Sequence, residues 1–341
     1  MSSLHSSGNA GSSSPRPTSA ALGVVTVLVT LLGWSSVPLF IVHFSRDIDV
    51  WTSNGWRYAL SAVLWAPLLV WLWARRTMPA GLWRAALVPS VFNALGQAAF
   101  AWAFYNLDPA TVTFGLRLQI VFVALGAYAM FPSERAVLKS PWAIGGIVLL
   151  LLGIAGTLFL ADRSNVPEAV AGARADYAVG VTLAVGSGLL FAAYALSVRK
   201  FMHSFPSVTA FAAISQYSSA ILVVAMLVLA RDPRTGGADF GYSALRLGAG
   251  PFALLLLSSV IGIGLGHVFY YISIARLGVA VSSGVMQLQP FCVAVAQLAL
   301  FDKRLTGGQW AGGMVAVLGA AMLLGVQWAM SRPRGKNGKR A

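Results

Sequence analysis

The chain has 341 residues, 57% of them apolar and 10% charged, with a mean hydropathy of +0.75. That composition excludes a water-soluble enzyme or a DNA-binding module and describes a membrane protein. A single cysteine, Cys292, excludes an internal disulfide framework, and the net charge of +14 sits between and beyond the apolar runs, where it marks topology and not a nucleic-acid footprint.

A bilayer core about 30 Å thick takes on the order of 20 residues of helix. Residues 1–19, rich in Ser, Gly and Pro with Arg16 as their one basic residue, lack the basic start of a secretory signal and are expected to be a disordered tail. Ten apolar runs follow, at 20–42, 51–73, 82–105, 110–131, 141–161, 177–198, 207–230, 251–274, 279–301 and 309–330. Most connections are short, so consecutive helices are antiparallel. The longer ones, 162–176 and 231–250, hold Pro or Gly with mixed charge and are expected to be exposed loops without a core of their own. Residues 331–341 carry Arg332, Arg334, Lys336, Lys339 and Arg340, a cytoplasmic flank that also suits anionic lipid.

With ten crossings, fourteen Lys and Arg fall on the side of the termini and eight on the other, which places both termini in the cytoplasm of a plasma (inner) membrane protein. Of the ten acidic residues only Glu134 falls on the terminal side.

The chain also aligns with itself. At an offset of 170, Gln97 falls on His267, Leu107 on Leu277, Ala110 on Ala280, Arg117 on Gln287, Leu118 on Leu288 and Gln119 on Gln289. Two residues less, Glu134-Arg135…Trp142 falls on Asp302-Lys303…Trp310, and more weakly Gly33-Trp34 falls near Leu190-Phe191 and Arg57-Tyr58 on Gln216-Tyr217. The expected domains are therefore two five-helix repeats, 20–161 and 177–330. Because five is odd, the second copy enters the membrane from the opposite side: an all-α integral membrane fold of two inverted repeats, the construction of many secondary transporters.

These residues resemble the drug/metabolite transporter superfamily and, within it, the EamA-type ten-helix permeases. The resemblance covers about 20–330 and is carried by Gly33-Trp34-Ser35-Ser36-Val37-Pro38, Arg57-Tyr58-Ala59, Leu107…Ala110…Leu116-Arg117-Leu118-Gln119, Leu277-Gly278-Val279-Ala280…Leu288-Gln289-Pro290 and the acid-basic…Gly pattern at Glu134 and Asp302. It implies a metabolite carrier, often an exporter of amino acids or related small molecules, with no cofactor.

Few ionisable side chains lie well inside the spans: Arg57, Arg117 and His267, with no Asp or Glu. A guanidinium at membrane depth costs about 3 kcal/mol or more, so it faces protein or water and is paired. Arg117, about 10 Å below the surface, is the sharpest candidate for holding a carboxylate or phosphate, beside the alternative of an anchor on backbone carbonyls. Arg57 is nearer its helix end and is expected to snorkel toward the interface. His267, with an unperturbed pKa of about 6.5, is the candidate for proton coupling, or else a satisfied neutral side chain. Trp34, Gln97, Trp102, Gln119, Tyr194, Tyr270, Gln287 and Gln289, together with Gln216 and Tyr271, supply amides and aromatic faces for an amphipathic solute. On a regular helix Gln287 and Gln289 are about 200° apart and cannot face one cavity. Pro38 and Pro290 are the expected hinges.

No Gly-Lys-Ser or Gly-Lys-Thr loop, acidic cluster or His-Glu-x-x-His helix is present, which leaves nucleotide-driven pumping and metal-assisted intramembrane catalysis without a motif. An intramembrane hydrolase, with His267 paired to Ser282 or Ser283, and a passive channel remain the alternatives. The expected activity is alternating-access transport of a small polar or amphipathic metabolite, outward and through a site lined by helices one, three, four, six, eight and nine. A sugar, organic-anion or drug carrier is the alternative within the superfamily. The expected partners are that solute and the lipid bilayer, not nucleic acid.

Overall fold

The computed structural model describes residues 17–132, 135, 139–161 and 176–331. In order, its helices are α1 (Pro17–Phe44), α2 (Val50–Ala74), α3 (Leu82–Ala103), α4 (Pro109–Leu116), α5 (Gln119–Met130), α6 (Pro141–Phe159), α7 (Tyr177–Phe201), α8 (Ser207–Leu229) and the four-residue α9 (Tyr242–Leu245). Then come α10 (Ala249–Ser259), a π-helical segment (Val260–Leu265), α11 (Gly266–Leu277), α12 (Val279–Met286), α13 (Gln289–Phe301) and α14 (Gly307–Ser331). Counting α4–α5, α10–α11 and α12–α13 as one crossing each, ten helices are long and apolar enough to cross a bilayer, and the chain is a multi-pass membrane protein. The described residues hold no strand, only an isolated bridge between Arg231 and Ala238.

The spans agree with the apolar runs to within a few residues. Helix α1 begins at Pro17, within the stretch 1–19 expected as a tail, and proline fits a first helical position since its missing N–H has no intrahelical partner there. Residues 1–16, Glu134, the 162–175 part of the long loop and the tail from 332 lie outside the described residues.

Three of the acidic residues that the charge count placed opposite the termini start helices. Asp49 accepts from Thr52 N at 2.7 Å, Asp108 from Thr111 N at 3.0 Å and Asp176 from Ala178 N at 2.8 Å. Each satisfies an amide that the first turn leaves without a partner. Outward surfaces are apolar, with Phe159 81% and Trp73 74% exposed, as lipid contact requires.

Helix pairing is unchanged when the two halves are exchanged. The main pairs are α6 with α14, α2 with α8, α3 with α7 and α1 with the helix of α10–α11, and α4 packs on α13. Exchanging the halves turns the first two into themselves and swaps α3–α7 with α1–α11, and α4 with α13 joins the fourth crossing to the ninth, its own counterpart. The match extends to single contacts. A Cβ on Gly266 would stand 2.3 Å from Trp34 of α1, and one on Gly96 would stand 2.9 Å from Phe191 of α7. Gly96 and Gly266 are 170 apart in the chain.

Loop 231–248 departs from expectation: it has a folded core. Ala244 packs with Phe44, Ile48 and Leu255, and Asp239, almost wholly buried, accepts from Ser243 N and Oγ, from Thr52 Oγ1 of α2 and from Arg246. Arg246 also pairs with Asp232 at 2.7 Å, and Trp56 Nε1 donates to Gly241 O at 2.9 Å. The N–H of Arg234 and the Arg246 guanidinium hold the Asp232 carboxyl below its ordinary value. The mixed charges of this loop are paired to one another and to α2, a tertiary arrangement that composition does not reveal.

The closest helix pair is α6–α14. A Cβ on Gly153 would lie 2.2 Å from Ala316 N, and one on Gly312 would lie 2.7 Å from Gly153 O. Backbone meets backbone there, as small residues permit in membranes. Gly153→Ala is expected to force the two helices apart and lower the melting temperature of the purified protein by several degrees. Gly186→Ala, where a Cβ meets nothing within 4 Å, is expected to be neutral or slightly stabilising; equal melting curves for the two variants would disprove this account.

Candidate functional site

Near mid-membrane, helices four and nine of the ten crossings are each interrupted by one tight turn, and at equivalent places. Residues 117–118 separate α4 from α5, and residues 287–288 separate α12 from α13. Arg117 N donates to Phe114 O at 3.0 Å and Gln287 N to Gly284 O at 3.0 Å, three residues back where an α-helix reaches four. In the first half Ile120 N donates to Arg117 O at 3.1 Å. Its counterpart is Pro290, which has no N–H, so the Gln287 carbonyl lacks that donor.

The turn changes which side chains share a face. Gln287 and Gln289 are both 6% exposed while Leu288, between them, is 45% exposed. The two amides that a regular helix would set on opposite sides are thus both buried, Gln287 lining a small cavity beside Arg117 and Gln289 reaching α1. Arg117 donates from Nη2 to Gln289 Oε1, while its Nε is buried without a partner. Gln289 Nε2 in turn donates to Trp34 O at 2.9 Å. That carbonyl is available because Pro38, four residues on in α1, has no N–H to offer it.

The opposite wall is built on the π-helical segment. Trp34 Nε1 donates to Gly262 O at 2.9 Å, and the absence of a side chain at Gly266 admits the indole. One turn on, Tyr270 lies 5.1 Å from the Trp34 ring and its hydroxyl is 3.0 Å from Ser283 Oγ. Gln287 Nε2 donates to Ser283 O at 3.1 Å. His267 is stacked on Phe211 at 4.4 Å, meets the edge of Trp34 at 5.2 Å, and has Nδ1 3.2 Å from Ile263 O. Arg117, Gln287, Phe114, Leu150, Pro290, Ala316 and Val317 line a cavity of about 10 Å³, room for about one water. Little free space remains beside Arg117, which is half-buried, in this conformation.

Six of the expected site residues, Arg117, Trp34, Tyr270, Gln287, Gln289 and His267, therefore form one connected group, with Pro290 beside the interruption of the ninth crossing and Pro38 inside the continuous α1. Others lie elsewhere. Trp102 is 44% exposed at the end of α3 and meets Trp51 at 6.1 Å. Tyr194 packs beside the cluster of Met202, Ala210 and Ile214. Gln97 uses its backbone carbonyl to receive Asn54 Nδ2 at 3.3 Å, Gln119 sets its backbone against Gly188, and Gln216 Nε2 donates to Ala62 O at 3.0 Å. Arg57 does not snorkel: it is 2% exposed, held inward where α2 meets the π-helical segment. Phe211, the wall of His267, has no signal in an apolar helix. Asn54 has one, as part of Thr52-Ser53-Asn54, three polar residues opening a membrane span.

A ten-crossing bundle whose fourth and ninth crossings are both interrupted at a polar centre defines a class of membrane protein built from paired halves. The EamA-like transporter family model matches the chain twice, over residues 21–159 and 178–325, and the chain belongs to that family. A protein of Haemophilus influenzae described as an uncharacterized transporter is 23% identical over 197 residues, which are 54% of this chain and 58% of that one. This match spans less than two thirds of the relative's length. A crystal structure matches with a TM-score of 0.56 at 15% identity, over 90% of this chain and 96% of the other, a likeness of fold alone.

If the Trp34 carbonyl is free because of Pro38, restoring an amide there relieves the need for Gln289. Gln289→Met alone strands both Arg117 and Trp34 O and is expected to cost about 2–4 kcal/mol. Pro38→Ala with Gln289→Met is expected to recover about 1 kcal/mol of that loss, read as a positive coupling in a double-mutant cycle of thermal stability. Strict additivity would show that the carbonyl does not govern the contact.

Proposed function

We propose that the protein is a secondary carrier, and that the group around Arg117 is its substrate site, reached from one face of the membrane and then the other. The observation that carries this reading is the pair of interrupted helices at equivalent positions of the two halves, meeting through Arg117 and Gln289. Paired interruptions in corresponding segments mark the midplane site of repeat-built carriers. A site with room for one water supports a carrier that must rearrange over a standing pore.

The chemistry of the group supports a small amphipathic solute with a carboxylate, an amino acid or a related compound. Arg117 offers a charged donor with an unused Nε, the Gln287 amide and carbonyl offer both hydrogen-bond senses, and Trp34, Tyr270 and His267 offer aromatic faces. Outward movement is the direction that the resemblance to metabolite exporters implies. A solute entering between Arg117 and Gln289 would replace the bond between them and loosen α13 from the turn between α4 and α5, coupling occupancy to helix movement.

Melting temperatures of the purified protein should rise with L-phenylalanine and phenylacetate, stay unchanged with phenethylamine, which lacks the carboxylate, and lose the rise in Arg117→Ala. Stabilisation by the amine, or a rise that survives Arg117→Ala, would reject the assignment. Proton coupling is assigned to His267, the one histidine well inside the spans. Flux into vesicles that responds to an imposed proton gradient should lose that response in His267→Gln, and an unchanged response would move coupling to another group.

A further inference from the structure

Helix α2 enters the membrane with three buried polar atoms that have no hydrogen-bond partner: Ser53 Oγ, Asn54 Oδ1 and Arg57 Nε. Their residues are 0%, 0% and 2% exposed. Spacings of three and four residues put Asn54 and Ser53 beside Arg57 on the helix. Buried polar atoms are almost always satisfied, and leaving one bare costs about 1–3 kcal/mol, so three in five residues is a concentration that packing alone does not account for. The titratable groups that act on Arg57 are the hydroxyls of Tyr58 and Tyr105, and among the described residues no carboxylate pairs with it. The ten spans hold no Asp or Glu, and the guanidinium groups well inside them are Arg57 and Arg117, since Arg84, Arg199 and Arg276 sit within a few residues of a span end.

The two guanidinium groups stand on either side of one residue. Arg57 Nη2 lies 3.8 Å from where a Cβ of Gly262 would be, and the Gly262 carbonyl receives the Trp34 indole. The backbone carbonyl of the same Trp34 receives Gln289, which holds Arg117. Both arginines lie about 10 Å from the face at which α2 and α4 begin, seven and eight residues into their helices.

We propose that Arg57, with Asn54 and Ser53, is a second anion-binding station, separated from Arg117 by Trp34, so that the negative group of the cargo passes from one guanidinium to the other as the indole moves. This rests on the carrier reading above and extends it: the cargo supplies the counter-charge that the spans do not contain. The unsatisfied Asn54 and Ser53 oxygens are the groups that a water or a hydroxyl on the cargo would engage beside the anion.

The test needs no knowledge of the cargo. In a Cys292→Ser background, which removes the native thiol, Asn54→Cys protein in vesicles is treated from either face with anionic methanethiosulfonate ethylsulfonate or its cationic trimethylammonium counterpart. Each reagent converts the thiol to a disulfide and releases methanesulfinate. The expected result is reaction from the face that carries Asp49, with the anionic reagent favoured about ten-fold or more over its ratio on free cysteine, and loss of that preference when Arg57→Gln is added. Ser53→Cys gives the same readout if Asn54→Cys fails to fold. A thiol unreactive from both faces, or reactive without charge preference, overturns the second station and leaves Arg57 a structural group. If carboxylate stabilisation dependent on Arg117 persists in that case, the carrier reading stands and only the second station falls; if the thiol behaves as expected while Arg117→Ala changes no ligand shift, the central site is the part in error.

Discussion

The contact on which the centre of this protein depends is the double use of one amide. Gln289 receives Arg117 on its oxygen and gives its nitrogen to the Trp34 carbonyl. Each end answers a deficit created elsewhere in the sequence. A guanidinium in a bilayer costs about 3 kcal/mol or more and needs an acceptor. A carbonyl whose helical donor has been replaced by Pro38 needs a hydrogen, because no water is at hand in the membrane core to supply it. Glutamine meets both at once, where glutamate could not donate and leucine could do neither.

Most of the architecture was legible because membrane helices are constrained by length and backbone satisfaction. Runs of about 20 apolar residues, ended by Asp49, Asp108 and Asp176 at helix starts and glycine-rich turns elsewhere, leave little freedom for the boundaries. The interruptions were less visible. Residues 109–130 are apolar enough on average to be one span, and only the second interruption has a nearby proline. The signal lay in two aligned triplets, Arg117-Leu118-Gln119 and Gln287-Leu288-Gln289. Polar residues two apart cannot share the buried side of a regular helix, and the second triplet resolves the conflict with a turn that buries both glutamines and turns Leu288 outward. Arg57 was misjudged for a related reason: its distance from the helix end permits snorkelling, but α2 enters the bundle facing the glycines of the π-helical segment, a tertiary fact that spacing does not encode.

The distribution of rigidity bears on how such a molecule moves. In α6 and α14 glycine sets backbone against backbone, an interface with no side chain to rearrange. On the far side, loop 231–248 ties α2 to α8 and α10 through Asp239 and Trp56. Between these two fixed regions lie the interrupted α4–α5 and α12–α13 and the π-helical segment, where backbone hydrogen bonds are already irregular and small changes of angle break the fewest of them. Rearrangement is cheapest there, and the polar group is located there.

The neutrality of Gln289 then becomes functionally relevant. An aspartate or glutamate in its place would form a buried ion pair with Arg117, and separating such a pair costs about 3–5 kcal/mol. It would also cancel the charge that makes the arginine useful. A hydrogen bond from a charged group to an amide contributes about 1.5–3 kcal/mol and leaves the guanidinium cationic. The anionic solute proposed above would displace the amide at modest cost and be released again, whereas a carboxylate of the protein would hold the position permanently. On the carrier reading proposed above, a site that fills and empties requires a partner for Arg117 that is sufficient to keep it in the membrane and too weak to keep it occupied.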